Sequence, residues 1–272
     1  MSENSFDSKK LRKTILDMAY VGSSGHIGCA FSIIELLAVL YRDFLRYPGN
    51  NPLSDERDYL VLSKGHGVMA QYACMREKNW LTDDHFQNYF SDGTELNGLA
   101  DSRVTGIETT TGSLGHGFSV GVGLAFGAKL KASNQKTYVL VGDGELNEGA
   151  IWEGALFASH HALKNLFLIV DRNGFQAMGR TEDILDLEGL PSKLKSFGFE
   201  TAVVDGHNEN EIKKSLSKLS SSYSDSPKAL IARTVKGKGV PFMEDQNRWH
   251  YTRLDDDNYA RAVMALDEYK KK

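Results

Sequence analysis

Two short polar clusters in this sequence could hold a metal ion together, and they stand thirty positions apart. Gly142-Asp143-Gly144-Glu145 follows the apolar run Thr137–Val141, and Asp171-Arg172-Asn173-Gly174-Phe175 follows Leu166–Val170. A carboxylate or amide just past a buried strand can ligate a hard cation, and flanking glycines let the backbone approach a phosphate closely. Alone, the Gly-Asp-Gly triplet also fits a tight turn with a helix-capping Asp. If the two strands are neighbours, Asp143 and Asn173 point at the same spot. One carboxylate, one amide oxygen, a backbone carbonyl and two phosphate oxygens then make a shell suited to Mg²⁺, which favours octahedral oxygen coordination.

Imidazoles recur beside glycines, in Ser24-Gly25-His26 and Ser63-Lys64-Gly65-His66-Gly67, and a third follows a tryptophan in Trp249-His250. Near neutral pH such groups can take up or release a proton, although a lone loop histidine can equally be structural. Gly112-Ser113-Leu114 lies ahead of a Gly- and Ala-rich helical pattern over 120–128, and amides at a helix start can bind an anion. Glu148 and Glu153 stand near the start of the next helical pattern, where one of them could simply favour the helix dipole.

The elements that must position these groups alternate along the chain. Strands are expected at 59–62, 137–141, 166–170, 201–204 and 229–232, and helices at 31–46, 67–78, 115–132, 147–163, 183–197 and 208–221. The central strands are continuously apolar, as for strands buried on both faces. The alternation predicts an α/β doubly wound parallel sheet, with ligands at the carboxyl ends of its strands. The Ser-rich stretch 215–226 reads as a loop. One domain over 1–272 is expected, with polar tails at about 1–8 and 268–272.

Composition excludes several classes of function. Of 272 residues 41% are hydrophobic and 25% charged, and no run of eighteen apolar residues could span a bilayer. A net charge of −4, with basic clusters only at Lys9-Lys10 and Lys270 to Lys272, argues against nucleic-acid or anionic-membrane partners. Cys29 and Cys74 stand among apolar residues and read as reduced core residues. The N-terminus lacks the apolar stretch of a secretory signal, so a cytoplasmic place is expected.

Gly-Asp-Gly followed some thirty residues later by Asn is similar to the signature of thiamine diphosphate enzymes. The three histidine motifs, Thr109-Thr110-Thr111-Gly112-Ser113-Leu114-Gly115-His116-Gly117, Glu148-Gly149 and Lys236-Gly237-Lys238-Gly239-Val240 resemble transketolase in this order, over about residues 10 to 255. The resemblance implies a thiamine diphosphate-binding fold of the diphosphate (PP) type. Its metal, Mg²⁺ or else Ca²⁺ or Mn²⁺, would be held by Asp143, Asn173 and the Phe175 carbonyl. Cofactor contacts would come from His66, Gly112, Ser113, Leu114, Gly142, Asp143, Gly144, Glu145, Asn173 and His250. His26, His66 and His250 would be catalytic imidazoles above the thiazolium, and Glu148 and Glu153 would join a glutamate network at a subunit interface. Thiamine chemistry, with a carbanion attacking a ketose carbonyl before C–C cleavage, makes and consumes hydroxyl protons that imidazoles can carry.

The implied activity is transfer of a two-carbon ketol unit from a ketose or sugar phosphate donor to an aldehyde acceptor. The match ends after the first of the family's three domains. The resemblance therefore implies one half of a split transketolase, inactive alone, completed as α2β2 by a C-terminal subunit carrying the pyrimidine-binding domain. Four positions depart from the family pattern. Arg172 precedes the ligand Asn, His116 replaces a Gln, and Tyr251 replaces a Gly after His250. Leu99 stands where the family has a His that contacts donor hydroxyls. An apolar Leu99 cannot hydrogen-bond a C1 hydroxyl, which leaves open a donor without one, as for a 2-oxo acid decarboxylase or dehydrogenase subunit or a deoxyxylulose-phosphate-synthase-like one. A catalytically silent scaffold is the third reading.

Overall fold

The computed structural model describes residues 6–22 and 25–269. Ser24 of the first histidine motif, Lys270 to Lys272 and most of the N-terminal tail lie outside the described residues. Five strands, β1 (Tyr59–Leu62), β2 (Thr137–Gly142), β3 (Leu166–Arg172), β4 (Glu200–Asp205) and β5 (Lys228–Arg233), form one sheet in the order β1-β2-β3-β5-β4. Every pairing is parallel. Successive side chains of β1, β2 and β3 enter opposite layers. Leu60, Leu62, Tyr138, Leu140, Phe167 and Ile169 face one core, while Val61, Val139, Val141, Leu168 and Val170 face the other. This is why the sequence runs are apolar without alternation.

Helices cover both faces: α1 (Ser8–Val21), α2 (Ile27–Phe31), α3 (Ile34–Val39), α4 (Val68–Glu77), α5 (Asp83–Gln87), α6 (His116–Leu130), α7 (Gly149–His160), α8 (Thr181–Ile184), α9 (Leu190–Ser196), α10 (Glu209–Ser220) and α11 (Asp256–Glu268). The first core takes its residues from α1 to α4, α10 and α11, the second from α6, α7 and α9. No helix among the described residues is long and apolar enough to cross a membrane.

Several expectations need correction. The pattern over 31–46 is broken into α2, α3 and a π-helical turn over Leu40–Phe44. The pattern over 183–197 is broken into α8 and α9, because Gly189 takes a left-handed backbone (φ +70) and Pro191 sits in the first turn of α9. The Ser-rich stretch is helical as far as Ser220, capped at its start by the Asn208 side chain on the amides of Asn210 and Glu211. Besides the short α5, the helices without a counterpart in the sequence pattern are α1 and α11. They pack together, Tyr20 stacking on Tyr259 with ring centroids 4.3 Å apart and the Tyr259 hydroxyl donating to Asp17 at 2.7 Å. Cys29 and Cys74 are buried free thiols, as expected.

Candidate active site

Register brings the two polar clusters together. Gly142 lies opposite Asp171 across β2 and β3, so the chain leaves both strands at the same level, with Asp143 and Asn173 just beyond. Asp143 Oδ1 accepts the Gly144 amide at 2.9 Å and Oδ2 accepts the Gly174 amide at 2.6 Å, tying one cluster to the other. The Asn173 side chain donates to Asp171 at 2.8 Å and accepts the Phe175 amide at 3.0 Å. The segments after β1 and β5 end at the same edge and add Ser63 to His66 and Thr234 to Lys236. Asp143, Asn173, Phe175, Lys64, His66 and Lys236 all border one cleft of about 610 Å³.

The floor of the cleft is a buried charge network. Asp171, fully buried, accepts from Lys64, from Ser32 at 2.8 Å and from Thr234, and so joins the ends of β1, α2, β3 and β5. Burial alone would raise the Asp171 carboxyl. The Lys64 charge and the donors around it outweigh burial and hold it below the usual carboxylate range. For Asp143 the balance is reversed: burial, and then the Asp171 charge, outweigh the Gly174 and Gly144 amides and Lys64 and push its carboxyl up to about 7.

Three imidazoles stand together beside this floor. His26 and His66 are 5.2 Å apart by ring centroids, His26 and His250 5.5 Å, and His66 and His250 5.7 Å. Burial, with the Lys236 and Lys64 charges, lowers His26 to about 4. Burial and Lys236 lower His250 to about 3, and His66 lies well below its ordinary value for burial and Lys64. All three are neutral at pH 7, and each can accept a hydrogen bond or a proton. Tyr251 packs its ring 4.8 Å from His26, so the bulk that follows His250 falls within this group.

Lys64 and Lys236 join the site although the sequence marks them only through their motifs. Lysines are rarely buried unless paired, so residue type gives no warning; the Gly-rich contexts are the available signal. Lys236 is 1% exposed, and burial lowers its amine to about 8. Its Nζ meets His250 Nδ1 at 2.9 Å and Asn247 at 3.3 Å, and no carboxylate among the described residues lies in ion-pair reach. Asp171 reads in the sequence as part of a strand end, and its role as the hub of four segments needs the fold.

The remaining sequence candidates divide. Gly112, Leu114, Gly142, Gly144 and Phe175 line the cleft, as does Leu99, which is 43% exposed. Ser113 is exposed outside the lining. Glu145 borders the cleft, yet both carboxylate oxygens are engaged by the protein. One takes the Ser63 hydroxyl and the Gly115 amide (2.9 Å), the other the Gly142 amide (3.1 Å). Its side chain thus ties the 63–67 loop, the start of α6 and the end of β2 together at the edge of the cleft. Glu148 is exposed at the rim and Glu153 is exposed on α7, outside the lining. Close packing fixes the 63–67 loop: a Cβ on Gly65 would lie 2.4 Å from the Thr111 hydroxyl, whose own bond to the Leu62 carbonyl is 2.7 Å.

The donor set fits a hard cation shared with a diphosphate. Asp143 contributes a carboxylate that the protein leaves short of positive charge, Asn173 an amide oxygen and Phe175 a carbonyl. No group of three or more His, Cys, Asp or Glu side chains suited to a metal occurs among the described residues. A buried ammonium without a carboxylate, Lys236, fits an anion in the same cleft.

Residues 6–270 match the family description "Transketolase, thiamine diphosphate binding domain". The chain is 37% identical over 262 residues to one of the subunits of apulose-4-phosphate transketolase from Phocaeicola vulgatus, covering 96% of this chain and 92% of that one. It is 37% identical over 273 residues to the 6-deoxy-6-sulfo-D-fructose transketolase subunit SqwG of a Clostridium species, covering 98% and 99%. Among solved structures, transketolase from Campylobacter jejuni superposes with a TM-score of 0.88 at 28% identity, over 98% of this chain but 43% of that one. The chain thus spans less than half the length of that transketolase.

Proposed function

The chain belongs to the transketolase family, in its thiamine diphosphate-binding part, and from that premise we propose that it is the diphosphate-binding subunit of a two-chain enzyme. The reaction is transfer of a two-carbon ketol unit from a ketose or ketose phosphate to an aldehyde. One observation carries this reading: three neutral imidazoles 5.2 to 5.7 Å apart share a cleft with Asp143, Asn173 and the Phe175 carbonyl. When bound, thiamine diphosphate supplies a nucleophilic carbon and an electron sink for breaking the C–C bond beside the donor carbonyl.

The chain's own residues do the rest. Asp143, Asn173 and the Phe175 carbonyl would hold Mg²⁺, or Ca²⁺ or Mn²⁺ in its place, for the diphosphate, and the Lys236 ammonium would add positive charge in the same cleft. His66 and His250, beside Lys64 and Lys236, bind oxygens of the cofactor or substrate. His26, in contact with both, is placed to accept a hydroxyl proton and return it. Glu148 and Glu153, exposed at the rim and on α7, face a subunit contact. The names of the relatives as subunits of transketolases, with near-complete mutual coverage, support a second chain; in this reading it carries the pyrimidine-binding domain and the assembly is α2β2. The 2-oxo acid and deoxyxylulose-phosphate-synthase-like alternatives are not favoured by these relatives.

The test is ketol transfer by the chain mixed with its pyrimidine-binding partner, using a ketose phosphate donor and an aldehyde acceptor. Product formation that needs both chains, thiamine diphosphate and Mg²⁺ is the expected result. Equal activity from either chain alone would contradict it.

A further inference from the structure

A second buried charge cluster lies behind the loop that follows β5. Arg12 of α1 is fully buried and grips Glu35 of α3 with two prongs, at 2.6 and 2.8 Å, and also donates to the Phe31 carbonyl at 3.0 Å. Glu35 Oε2 also meets His207 Nδ1 at 3.0 Å. His207 Nε2 accepts the Val235 amide at 2.8 Å. A ring nitrogen that accepts an amide hydrogen carries none of its own, so the proton sits on Nδ1 and points at Glu35. The ring is thereby fixed in tautomer and orientation, as an outer partner fixes a ligand imidazole.

The amide that His207 holds belongs to the residue between two others that serve the cleft. Thr234, on one side, donates its hydroxyl to Asp171, and Lys236, on the other, reaches His250 and Asn247. The loop is a wall between two cavities. Lys236 borders the cleft, while Thr234, Val235 and His207 border a second cavity of about 710 Å³ behind it. From the cleft side the loop is tied by the Gly237 amide to the Gly28 carbonyl at 2.9 Å. From behind, the Val235 amide is tied by a side chain, which a substitution can change while leaving the loop's own sequence intact.

We propose that His207 is a positioning residue for the candidate active site: the Arg12–Glu35 pair holds its ring, and its Nε2 sets the Val235 amide and with it the places of Thr234 and Lys236. The consequence for cofactor binding rests on the thiamine diphosphate reading of the cleft. The placement of the loop rests on geometry alone.

Two substitutions separate the two bonds of the ring. His207→Gln keeps an acceptor at the reach of Nε2 and loses the donor to Glu35, whereas His207→Asn keeps a donor near Nδ1 and loses the acceptor. Amide exchange over 234–238 and affinity for thiamine diphosphate with Mg²⁺ are measured on both variants, in complex with the partner subunit. In His207→Asn, exchange is expected to quicken and affinity to fall by about fivefold to tenfold, the worth of one hydrogen bond. His207→Gln is expected to restore both, although the two variants melt at similar temperatures. Equal behaviour of the two variants, or unchanged exchange in His207→Asn, would overturn the proposal. If the wild-type complex binds no thiamine diphosphate while exchange follows the expected pattern, the cofactor reading fails and the positioning of the loop by His207 stands.

Discussion

The two buried charge clusters at the carboxyl edge of the sheet are finished to different degrees. Behind the β5 loop, both Glu35 oxygens are paired with Arg12 and His207, although Arg12 Nε has no partner; burial would raise the Glu35 carboxyl, but Arg12 and His207 outweigh it and bring it down to about 2. In the cleft, Asp143 is held by two amides and its carboxyl is pushed up to about 7, while Lys236 is left beside a neutral imidazole. The first arrangement closes its charges within itself. The second leaves a buried negative group and a buried positive group each short of a counter-charge, as a site completed by a metal diphosphate would be.

That contrast can be broken at either end. The largest effect is expected from Glu35→Ala, which leaves Arg12 buried and unpaired; chemical denaturation should show a loss of about 3–5 kcal/mol. Asp143→Asn should act in the opposite sense on the ligand-free chain. A carboxyl raised in the folded state binds its proton more tightly there, so its contribution falls as pH rises from about 4 to about 7, and the cost is complete above that. Removing it should therefore stabilise the ligand-free chain at pH 8, by up to about 4 kcal/mol, while Mg²⁺ no longer raises the melting temperature.

The imidazoles give an effect of opposite pH sense. His26 and His250 are lowered to about 4 and about 3, so the unfolded chain binds more protons between those values and 6.5. Stability should be fully present above pH 6.5 and decline below it, by roughly 1.4 kcal/mol per pH unit for each group. His26→Gln and His250→Gln should each flatten the denaturation midpoint against pH in that window; an unchanged slope would contradict their burial as neutral groups. Leu99→His should do least to the fold, within about 0.5 kcal/mol. If Leu99 borders the donor, it should lower KM for a ketose with a C1 hydroxyl by roughly three- to tenfold, the worth of one hydrogen bond.

Much of this is legible in the sequence because strand burial and metal geometry leave local marks. All five strands fall where the apolar runs place them, to within two residues at their ends, since parallel strands buried on both faces read as unbroken apolar runs. Asp143, Asn173 and the three histidines are legible because each follows a strand end or lies in a motif of glycines and aromatics. What escapes depends on distant partners. Lys64 and Lys236 look like surface residues until Asp171 and His250 are brought against them. Glu145 stands in the same motif as Asp143, and only the fold shows Ser63, Gly115 and Gly142 donating to its oxygens. The helices α1 and α11, 235 positions apart between Val21 and Asp256, stabilise each other through contacts such as Tyr20 on Tyr259 that no local window contains.

The most direct measurement is calorimetric titration of thiamine diphosphate with Mg²⁺ into the two-chain complex, made once with wild type and once with Asp143→Asn. Binding by wild type that requires Mg²⁺ and is lost in Asp143→Asn is expected. Absence of binding to wild type, or equal binding to both proteins, would contradict the assignment of this cleft.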